Sequence, residues 1–473
     1  MKTKIVATLG PASMSEKVIW GMIEAGADVF RINLSHGNSD QWNSLVQAIR
    51  KVSNEMGEEV AILADLQGPK IRTGETPVGG IALKTGDIVT LTTRQVSMEP
   101  GLISINYKDF AKDVKAGERV LIDDGKLTLL IRSSDMKSEV QAEVLNGGIL
   151  TSRKGVNLPN TVLSLPALTS KDKENLEWIM KSDIDWVALS FVRSAGDIRA
   201  LRDAMKMYPR GFYPGIIAKI EKPEAVADID PIIRAADAIM IARGDLGVEI
   251  PFEQVPFIQK SIIQKCIKLG RPVIVATQML EGMLTSMQPT RAEINDVANS
   301  VIDGADALML SGETSAGPYP VEAVATMHKV IEQAEMFDDI YYRTGQVIGS
   351  GGDRFITDTL CSSAVNMAYE TNAKSIVAYT HTGYTAIKIS SHRPNARVVV
   401  FTPQPFVIRK LQLVWGVKGF IAEDLEQAAN VTESMRTFLS EMGVLQPGEL
   451  VVHLSSFPIQ GKGKTNMVLL AQV

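Results

Sequence analysis

The sequence predicts an α/β protein: a (β/α)8 TIM barrel with an inserted all-β lid domain and a C-terminal α/β domain. Three observations carry this reading. Eight short apolar runs, Lys4–Gly10, Asp28–Ser35, Val60–Leu66, Trp186–Phe191, Gly215–Glu221, Ala238–Leu246, Pro272–Thr277 and Asp306–Glu313, read as buried parallel strands, and most are followed by a longer helical pattern. Polar or charged residues close nearly every run, as they do where eight strand ends share one mouth; an open doubly wound sheet would gather them around a single crevice. The pattern also changes at two places, near Ile71 and after Tyr341, setting two further units apart from the barrel.

Composition agrees. A chain of 473 residues exceeds one ordinary core, so a large domain with satellites is the natural arrangement. With 45% hydrophobic and 22% charged residues and 37 Gly, it has the make-up of a globular α/β protein. A formal charge of -5 gives no general attraction to nucleic acid or to an anionic membrane, leaving phosphate to local positive clusters. Met1-Lys2-Thr3-Lys4 leads straight into the first apolar run, which leaves no room for a secretory leader, and no run approaches the ~20 apolar residues of a membrane span. Cys266 and Cys361 are the only cysteines and stand far apart in helical sequence, so a reduced, cytoplasmic protein is expected. Five scattered histidines argue against a His/Cys zinc site.

The first two units pair Lys4–Gly10 with a helix at Glu16–Ala25, and Asp28–Ser35 with a helix at Trp42–Met56. The third is interrupted. From Ile71 to Pro166, short alternating segments such as Asp87–Thr92 and Lys126–Ile131 are divided by Gly-rich turns, which predicts an inserted β-barrel over residues 71–166. It leaves from the mouth side of the third strand, between Gly68-Pro69 and Leu165-Pro166, and is therefore placed to close over a ligand as a lid. Residues 1–70 and 167–341 then form the barrel. A polar segment from Thr344 to Gly352 leads into a third unit, 342–473, in which a helix at Asp358–Tyr369 alternates with strands at Ser375–Tyr379, Arg397–Phe401, Val451–Leu454 and Met467–Ala471.

The chemistry concentrates at strand ends. Lys219-Ile220-Glu221 closes the fifth run and Ala242-Arg243-Gly244-Asp245 the sixth, bringing a lysine and two carboxylates to one mouth. Two carboxylates with bound water suit a hard cation such as Mg²⁺, and the lysine offers fixed positive charge to a phosphoryl or enolate oxygen. In Arg31-Ile32-Asn33-Leu34-Ser35-His36-Gly37, period-2 alternation sends Arg31, Asn33 and Ser35 to one side and Ile32 and Leu34 to the other. An arginine inside a barrel requires either a carboxylate or a bound anion as partner. His36 fits a turn or cap as well as a nucleotide contact. Asp65-Leu66-Gln67-Gly68-Pro69-Lys70-Ile71-Arg72 follows the third strand; its Gly-Pro explains a hinge, while Lys70 and Arg72 stand at the cleft edge where an anionic substrate would meet them.

Thr277-Gln278 closes the seventh run, although a strand-end threonine alone is commonplace. Ser311-Gly312-Glu313-Thr314 and Pro289-Thr290-Arg291-Ala292-Glu293 lie where barrel mouths gather binding groups. Asp123-Asp124-Gly125 is most simply a tight hairpin turn, and also an acidic pair able to reach a metal-nucleotide complex when the lid closes. Gly461-Lys462-Gly463-Lys464-Thr465 is not a P-loop: Pro458 stands where its first glycine belongs, and the following Met467-Val468-Leu469-Leu470 is strand-like. A basic, Gly-rich loop still suits phosphate, as does Thr380-His381-Thr382-Gly383-Tyr384-Thr385 ahead of a helix.

Taken together, these motifs resemble the pyruvate kinase family, from Thr3-Lys4-Ile5-Val6-Ala7-Thr8-Leu9-Gly10-Pro11 through Arg31–Gly37, Ala242–Gly247 and Ala276-Thr277-Gln278-Met279-Leu280 to Ser311–Thr314. The resemblance implies phosphoryl transfer from phosphoenolpyruvate to ADP, with Mg²⁺ or Mn²⁺, giving ATP and pyruvate. It implies Glu221 and Asp245 as metal ligands, Lys219 beside the transferred phosphoryl group, and Arg31 and Arg72 on phosphates. It further implies Thr277 in enolate protonation, Gly244 with Asp245 in the substrate pocket, and His36 with Arg72 toward the nucleotide. Asn33, Ser35 and Asp65 match a monovalent-cation region. There the chain departs from potassium-requiring members, which carry threonine, lysine and glutamate where it has Leu66, Gln67 and Lys70; the lysine charge is expected to replace K⁺. The family also implies a homotetramer and a sugar-phosphate or nucleotide effector, for which Thr380, Thr382, Gly383, Thr385, Lys462, Lys464 and Thr465 are the candidates. A lyase or aldolase acting on a pyruvate-like enolate, or a phosphometabolite sensor, are the alternative readings.

Overall fold

A computed structural model describes residues 1–342, 354–422, 431–456 and 465–473. Strands Lys4–Thr8, Val29–Asn33, Ala61–Asp65, Trp186–Leu189, Gly215–Ile220, Ala238–Ala242, Val273–Ala276 and Ala307–Leu310 form a closed parallel barrel, the first pairing with both the second and the eighth. Each expected run contains one strand, shorter at its ends. The sixth departs most, because its continuation from Arg243 winds into the helix Arg243–Glu249.

Both faces of these strands are covered, so alternation decides direction rather than exposure. Ile5, Phe30, Ile62, Val187, Ile216, Ile239, Val275 and Leu308 pack outward against the helices. Val6, Val29, Leu63, Ala188, Ile217, Met240, Ile274 and Met309 fill the interior. That interior cluster also contains Leu413, a fully buried residue from the far end of the chain. Its neighbour Trp415 donates its backbone N–H to Asp306 Oδ1 at 3.3 Å, at the start of the eighth strand. The C-terminal unit therefore plugs the barrel at the end opposite the mouth.

Reciprocal caps start several barrel helices: Asn38 with Gln41 for Ser39–Met56, Thr169 with Asp172 for Ser170–Lys181, and Thr290 with Glu293 for Arg291–Asp303. The second helix thus begins three residues before the expected Trp42. The Pro289–Glu293 motif is accounted for by the third of these caps, and no helix among the described residues is long and apolar enough to cross a membrane.

The insertion has its own core, including Leu91, Phe110, Leu129 and Val144. Its main sheet has six strands with the edges at Val156–Asn157 and Leu102–Ser104, beside a two-stranded ladder of Ile81–Leu83 with Gly148–Leu150. The regular ladders do not close into the expected β-barrel. Closure falls to the entering segment 71–74, which bonds to both edges: Val156 N–H to Ile71 O at 2.9 Å on one side, Gly74 N–H to Ser104 O at 3.0 Å on the other. Gly68, at φ +67°, makes the exit from the barrel; a Cβ there would stand 2.9 Å from Ser190 Cβ.

The C-terminal sheet runs Val417–Ile421, Arg397–Thr402, Ser375–Tyr379, Leu450–Ser455, Met467–Gln472, with only the last strand antiparallel. The helix Phe355–Glu370 and its neighbours cover one face through Ile376, Val398 and Val452. The segment Thr344–Gly352 falls within 343–353, outside the described residues.

Candidate active site

Strand parity builds the site. Arg31, Asn33, Asp65 and Lys219 share the inward phase of Val29, Leu63 and Ile217, and Asn33 stands in register with Asp65. At the third residue of the second strand and the fifth residue of the third and fifth strands, the apolar filling gives way to charge. Arg31 Nε donates to Asp65 Oδ2 at 2.8 Å, and Lys219 Nζ lies 3.4 Å from the same oxygen. Lys219 also reaches Glu221 Oε1 at 2.9 Å and donates to Ser190 Oγ at 2.8 Å. Phe191 N–H donates to Glu221 Oε2 at 2.6 Å, fixing the carboxylate from its other side.

The electrostatics follow from this packing. Burial opposes the Lys219 ammonium, but Asp65 and Glu221 outweigh it and hold the pKa above its ordinary value. Burial likewise opposes the Asp65 carboxylate, and Lys219 and Arg31 outweigh it, so that pKa falls. Glu221 is raised, first by burial and then by the negative charge of Asp245, against the pull of Lys219. Asp245 has no side-chain hydrogen bond or ion pair among the described residues.

Arg31, Lys219, Asp65, Glu221 and Asp245 amount to two positive and three negative charges, an imbalance that suits a cation. Among the described residues no group of three His, Cys, Asp or Glu side chains is placed to hold a metal. Two carboxylates completed by substrate oxygens and water are a common Mg²⁺ arrangement, so the donor set fits that ion.

Thr277 and Gln278 both have left-handed backbone, at φ +68° and +56°, a costly conformation for a β-branched residue and one concentrated at functional sites. The Thr277 hydroxyl donates to Ala276 O at 2.6 Å and accepts from Gly244 N–H at 2.8 Å, joining the sixth and seventh strand ends. Arg243 stabilises the turn: its guanidinium bonds Thr277 O at 2.8 Å while pairing in bidentate fashion with Asp296, both contacts at 2.7 Å.

Lys70, Arg72, Asp124 and Asp245 line one cleft of about 220 Å³ between insertion and barrel. Asp124 also borders a neighbouring cleft of about 820 Å³ with Arg243, Gly244 and Asp245. Its backbone and that of Asp123, at φ +55°, form the tight hairpin turn. Lys70 remains exposed, yet partial desolvation and then the Lys219 charge lower its pKa, with Asp245 and Glu221 acting the other way. Leu66 is in the helix-facing core and offers no oxygen to the mouth.

Asp65 is engaged by two cations, and Asn33 Oδ1 accepts from Ser35 N–H at 3.1 Å, so neither side chain stands free. The backbone carbonyl of exposed His36 accepts from Trp42 Nε1 at 2.9 Å, a contact that closes the turn and does not involve the imidazole. Glu313 accepts from Ser311 N–H at 2.7 Å and Thr314 Oγ1 donates to Thr8 O at 2.8 Å, which ties the eighth strand end together. In the C-terminal unit, Thr380 Oγ1 accepts from Gly383 N–H at 3.1 Å, the exposed Thr382 Oγ1 accepts from Tyr384 N–H at 3.4 Å, and Thr385 and Thr465 hydroxyls meet at 3.2 Å. Lys462 and Lys464 lie outside the described residues. Sequence reasoning missed Ser190, the Phe191 amide and the Arg243–Asp296 pair; Ser190 closes the fourth run and obeyed the same strand-end signal.

A barrel mouth with buried cations, facing carboxylates and a flanking insertion defines a (β/α)8-barrel enzyme suited to an anionic substrate and a hard metal ion. Family comparison makes this specific. The pyruvate kinase barrel-domain family matches residues 1–324, and the pyruvate kinase alpha/beta-domain family matches 358–471. Pyruvate kinase 2 of Synechocystis sp. is 43% identical over 99% of this chain and 78% of its own length. Pyruvate kinase of Geobacillus stearothermophilus is 41% identical over 99% and 79%. The crystal structure of a pyruvate kinase from Cryptosporidium parvum superposes with a TM-score of 0.91 at 34% identity, covering all of this chain and 96% of that one. The chain belongs to the pyruvate kinase family, and its reaction is phosphoryl transfer from phosphoenolpyruvate to ADP, giving ATP and pyruvate, with Mg²⁺.

Proposed function

We propose that Lys219, Arg31, Arg72 and Thr277 carry the transfer, with phosphoenolpyruvate seated against Lys219, Arg31, Gly244, Asp245 and Thr277. The observation that carries this reading is the buried ammonium of Lys219, held charged between Asp65 and Glu221 at the barrel mouth. Phosphoryl transfer chiefly needs fixed positive charge on the equatorial oxygens, and Lys219 with Arg31 supplies it without reorganising. Glu221 and Asp245 would hold Mg²⁺, which when bound supplies Lewis-acid polarisation of phosphoryl and enolate oxygens. The Thr277 hydroxyl proton is directed to Ala276 O, so Thr277 orients a water toward the enolate carbon rather than serving as the acid itself. Arg72 and His36 flank the nucleotide, and the insertion, taken as a lid over residues 71–166, excludes water.

Mn²⁺ titration monitored by electron paramagnetic resonance tests the metal assignment. Glu221→Gln or Asp245→Asn is expected to weaken Mn²⁺ binding at least ~10-fold; binding equal to wild type would remove that residue from the site.

The reaction of this chain does not require K⁺ on this reading. Leu66 lacks the oxygen that a cation would need, and Lys70 brings an ammonium whose field already reaches Glu221 and Asp245. The protein is further read as a cytoplasmic homotetramer whose C-terminal unit binds a sugar phosphate or nucleotide beside Thr380, Thr382, Gly383, Thr385 and Thr465, with Lys462 and Lys464. Exposed Phe252 and Phe257, 80% and 74% accessible, support burial of the barrel rim against another copy. Size measurement by light scattering, and calorimetry with sugar phosphates on wild type and Lys464→Ala, test these two points.

A further inference from the structure

One polar cluster spans the insertion and the barrel and has no part in the chemistry described above. Glu249 ends the helix Arg243–Glu249 and is buried. Its Oε1 accepts from Lys222 Nζ at 2.7 Å and from Asn157 Nδ2 at 2.8 Å. The ion pair is almost wholly desolvated, with side-chain exposures of 6% for Lys222 and 0% for Glu249. Glu249 Oε2 is buried without a partner among the described residues. Asn157 belongs to the edge strand Val156–Asn157 of the insertion, and all three residues line the 220 Å³ cleft that also holds Lys70, Arg72 and Asp245.

Chain position gives the cluster its meaning. Glu249 lies one helical turn beyond Asp245, and Lys222 directly follows Glu221. The Lys222–Glu249 pair therefore ties together the two elements that carry the carboxylates, and Asn157 ties that pair to the insertion. We propose that Asn157, Glu249 and Lys222 form a latch through which the insertion's position sets the spacing of Glu221 and Asp245, with Glu249 as the positioning residue. The proposal rests on reading the insertion as a lid. A hydrogen bond from Asn157 to a carboxylate is charge-assisted and exists only while the insertion is down. When Asn157 withdraws, a carboxylate that already has one unpaired oxygen is exposed to water beside its lysine, and the desolvated pair loosens.

A loosened latch admits water to the reacting phosphoryl group. The water oxygen then bonds to phosphorus, the bond from phosphorus to the enolate oxygen breaks, and a proton passes to the enolate carbon. Phosphoenolpyruvate and water thus give pyruvate and inorganic phosphate, with no ATP.

The test compares full-length wild type, Asn157→Ala, Glu249→Ala and the double variant at saturating Mg²⁺. It reads kcat/KM for ADP, the ratio of inorganic phosphate to ATP, and protection of the 71–166 segment from protease by Mg²⁺, ATP and oxalate. Asn157→Ala is expected to lower kcat/KM about 10-fold, as for loss of one hydrogen bond to a charged group. It should also raise the phosphate-to-ATP ratio several-fold and reduce the ligand-induced protection, with the thermal midpoint unchanged. The double variant should be no worse than Glu249→Ala, because both substitutions break the same contact. Multiplicative losses, or a wild-type product ratio in Asn157→Ala, would overturn the latch. Should Glu249→Ala fail to fold, the Asn157→Ala ratio alone decides. Absence of ligand-induced protection in wild type overturns the lid reading itself, whereas protection that persists undiminished in Asn157→Ala overturns only the latch.

Discussion

Lys219 and Lys70 show how one residue type takes two roles within one cleft. Lys219 is buried and fully paired, while Lys70 is exposed, and partial desolvation followed by the Lys219 charge lowers its pKa against the pull of Asp245. From this contrast we predict appreciable initial rates with Mg²⁺ and no added K⁺. The check is rate against KCl at ionic strength held constant with a bulky ammonium salt, which separates site occupancy from screening. Lys70→Glu should lower the K⁺-free rate; near-zero wild-type activity restored by saturable K⁺ would contradict the assignment. At this scale the charged groups were legible in the sequence, because an inward lysine or arginine in a barrel strand demands a partner. The Phe191 amide was not, since a backbone N–H carries no side-chain identity, and Ser190 was hidden by the ordinariness of serine. Nor does spacing reveal that Asp65 answers both Arg31 and Lys219; that required the register of four consecutive barrel strands.

Among the elements, the turn after the seventh strand depends on the first residue of the helix that follows the sixth. Arg243 bonds Thr277 O and Gln278 O and is itself fixed by Asp296, so it maintains two consecutive left-handed residues. A lysine cannot reproduce the fork. Arg243→Lys is therefore predicted to lower kcat about 10- to 100-fold through misplacement of Thr277, while Mn²⁺ affinity changes little. Steady-state kinetics beside a Mn²⁺ titration would show it, and unchanged kcat would mean the turn holds itself. All eight barrel strands were readable as apolar runs, since burial on both faces keeps them largely apolar up to the mouth. The helix Arg243–Glu249 was not, because Arg243-Gly244-Asp245-Leu246 was read as the end of the sixth run, and seven residues with glycines at 244 and 247 carry no apolar helical period. Closure of the insertion through 71–74 was equally hidden, the segment being too irregular to show alternation.

Across the whole molecule, the C-terminal unit is built into the barrel. Leu413 sits among the interior residues, and the buried Arg393 pairs with Asp306 at 3.0 Å while its guanidinium lies 5.0 Å from the Trp415 ring centroid. Leu413→Ala is predicted to destabilise the protein by ~2–5 kcal/mol, as for other large-to-small core substitutions, seen as a lower urea midpoint of barrel unfolding. A midpoint unchanged from wild type would show that the barrel does not depend on this plug. Acid lability should follow from two buried histidines. Burial lowers His453 and His392 to about 4 from an ordinary 6.5. A depressed pKa means that the stabilising preference for neutral imidazole is complete above pH 6.5 and is lost as pH falls toward 4. His453→Leu should flatten the dependence of stability on pH between those values, measured by urea unfolding at successive pH; an unaltered slope would place the acid sensitivity elsewhere. Nothing in the spacing of Leu413 announced its role, because contacts between units far apart in sequence leave no periodic trace, and His453 was hidden as one polar residue in a strand buried within its own sheet.

On the proposed reading Lys219 supplies charge where phosphoryl transfer develops it, and one paired measurement on Lys219→Met addresses that directly. ATP formation from phosphoenolpyruvate and ADP is compared with deuterium exchange into the methyl group of pyruvate, at matched Mg²⁺. Transfer should fall at least ~100-fold and exchange clearly less, because in this assignment Lys219 answers the phosphoryl charge while Thr277 remains to orient the proton path. Equal losses in both reactions would show that Lys219 organises the site as a whole, and wild-type transfer would show that it has no catalytic part.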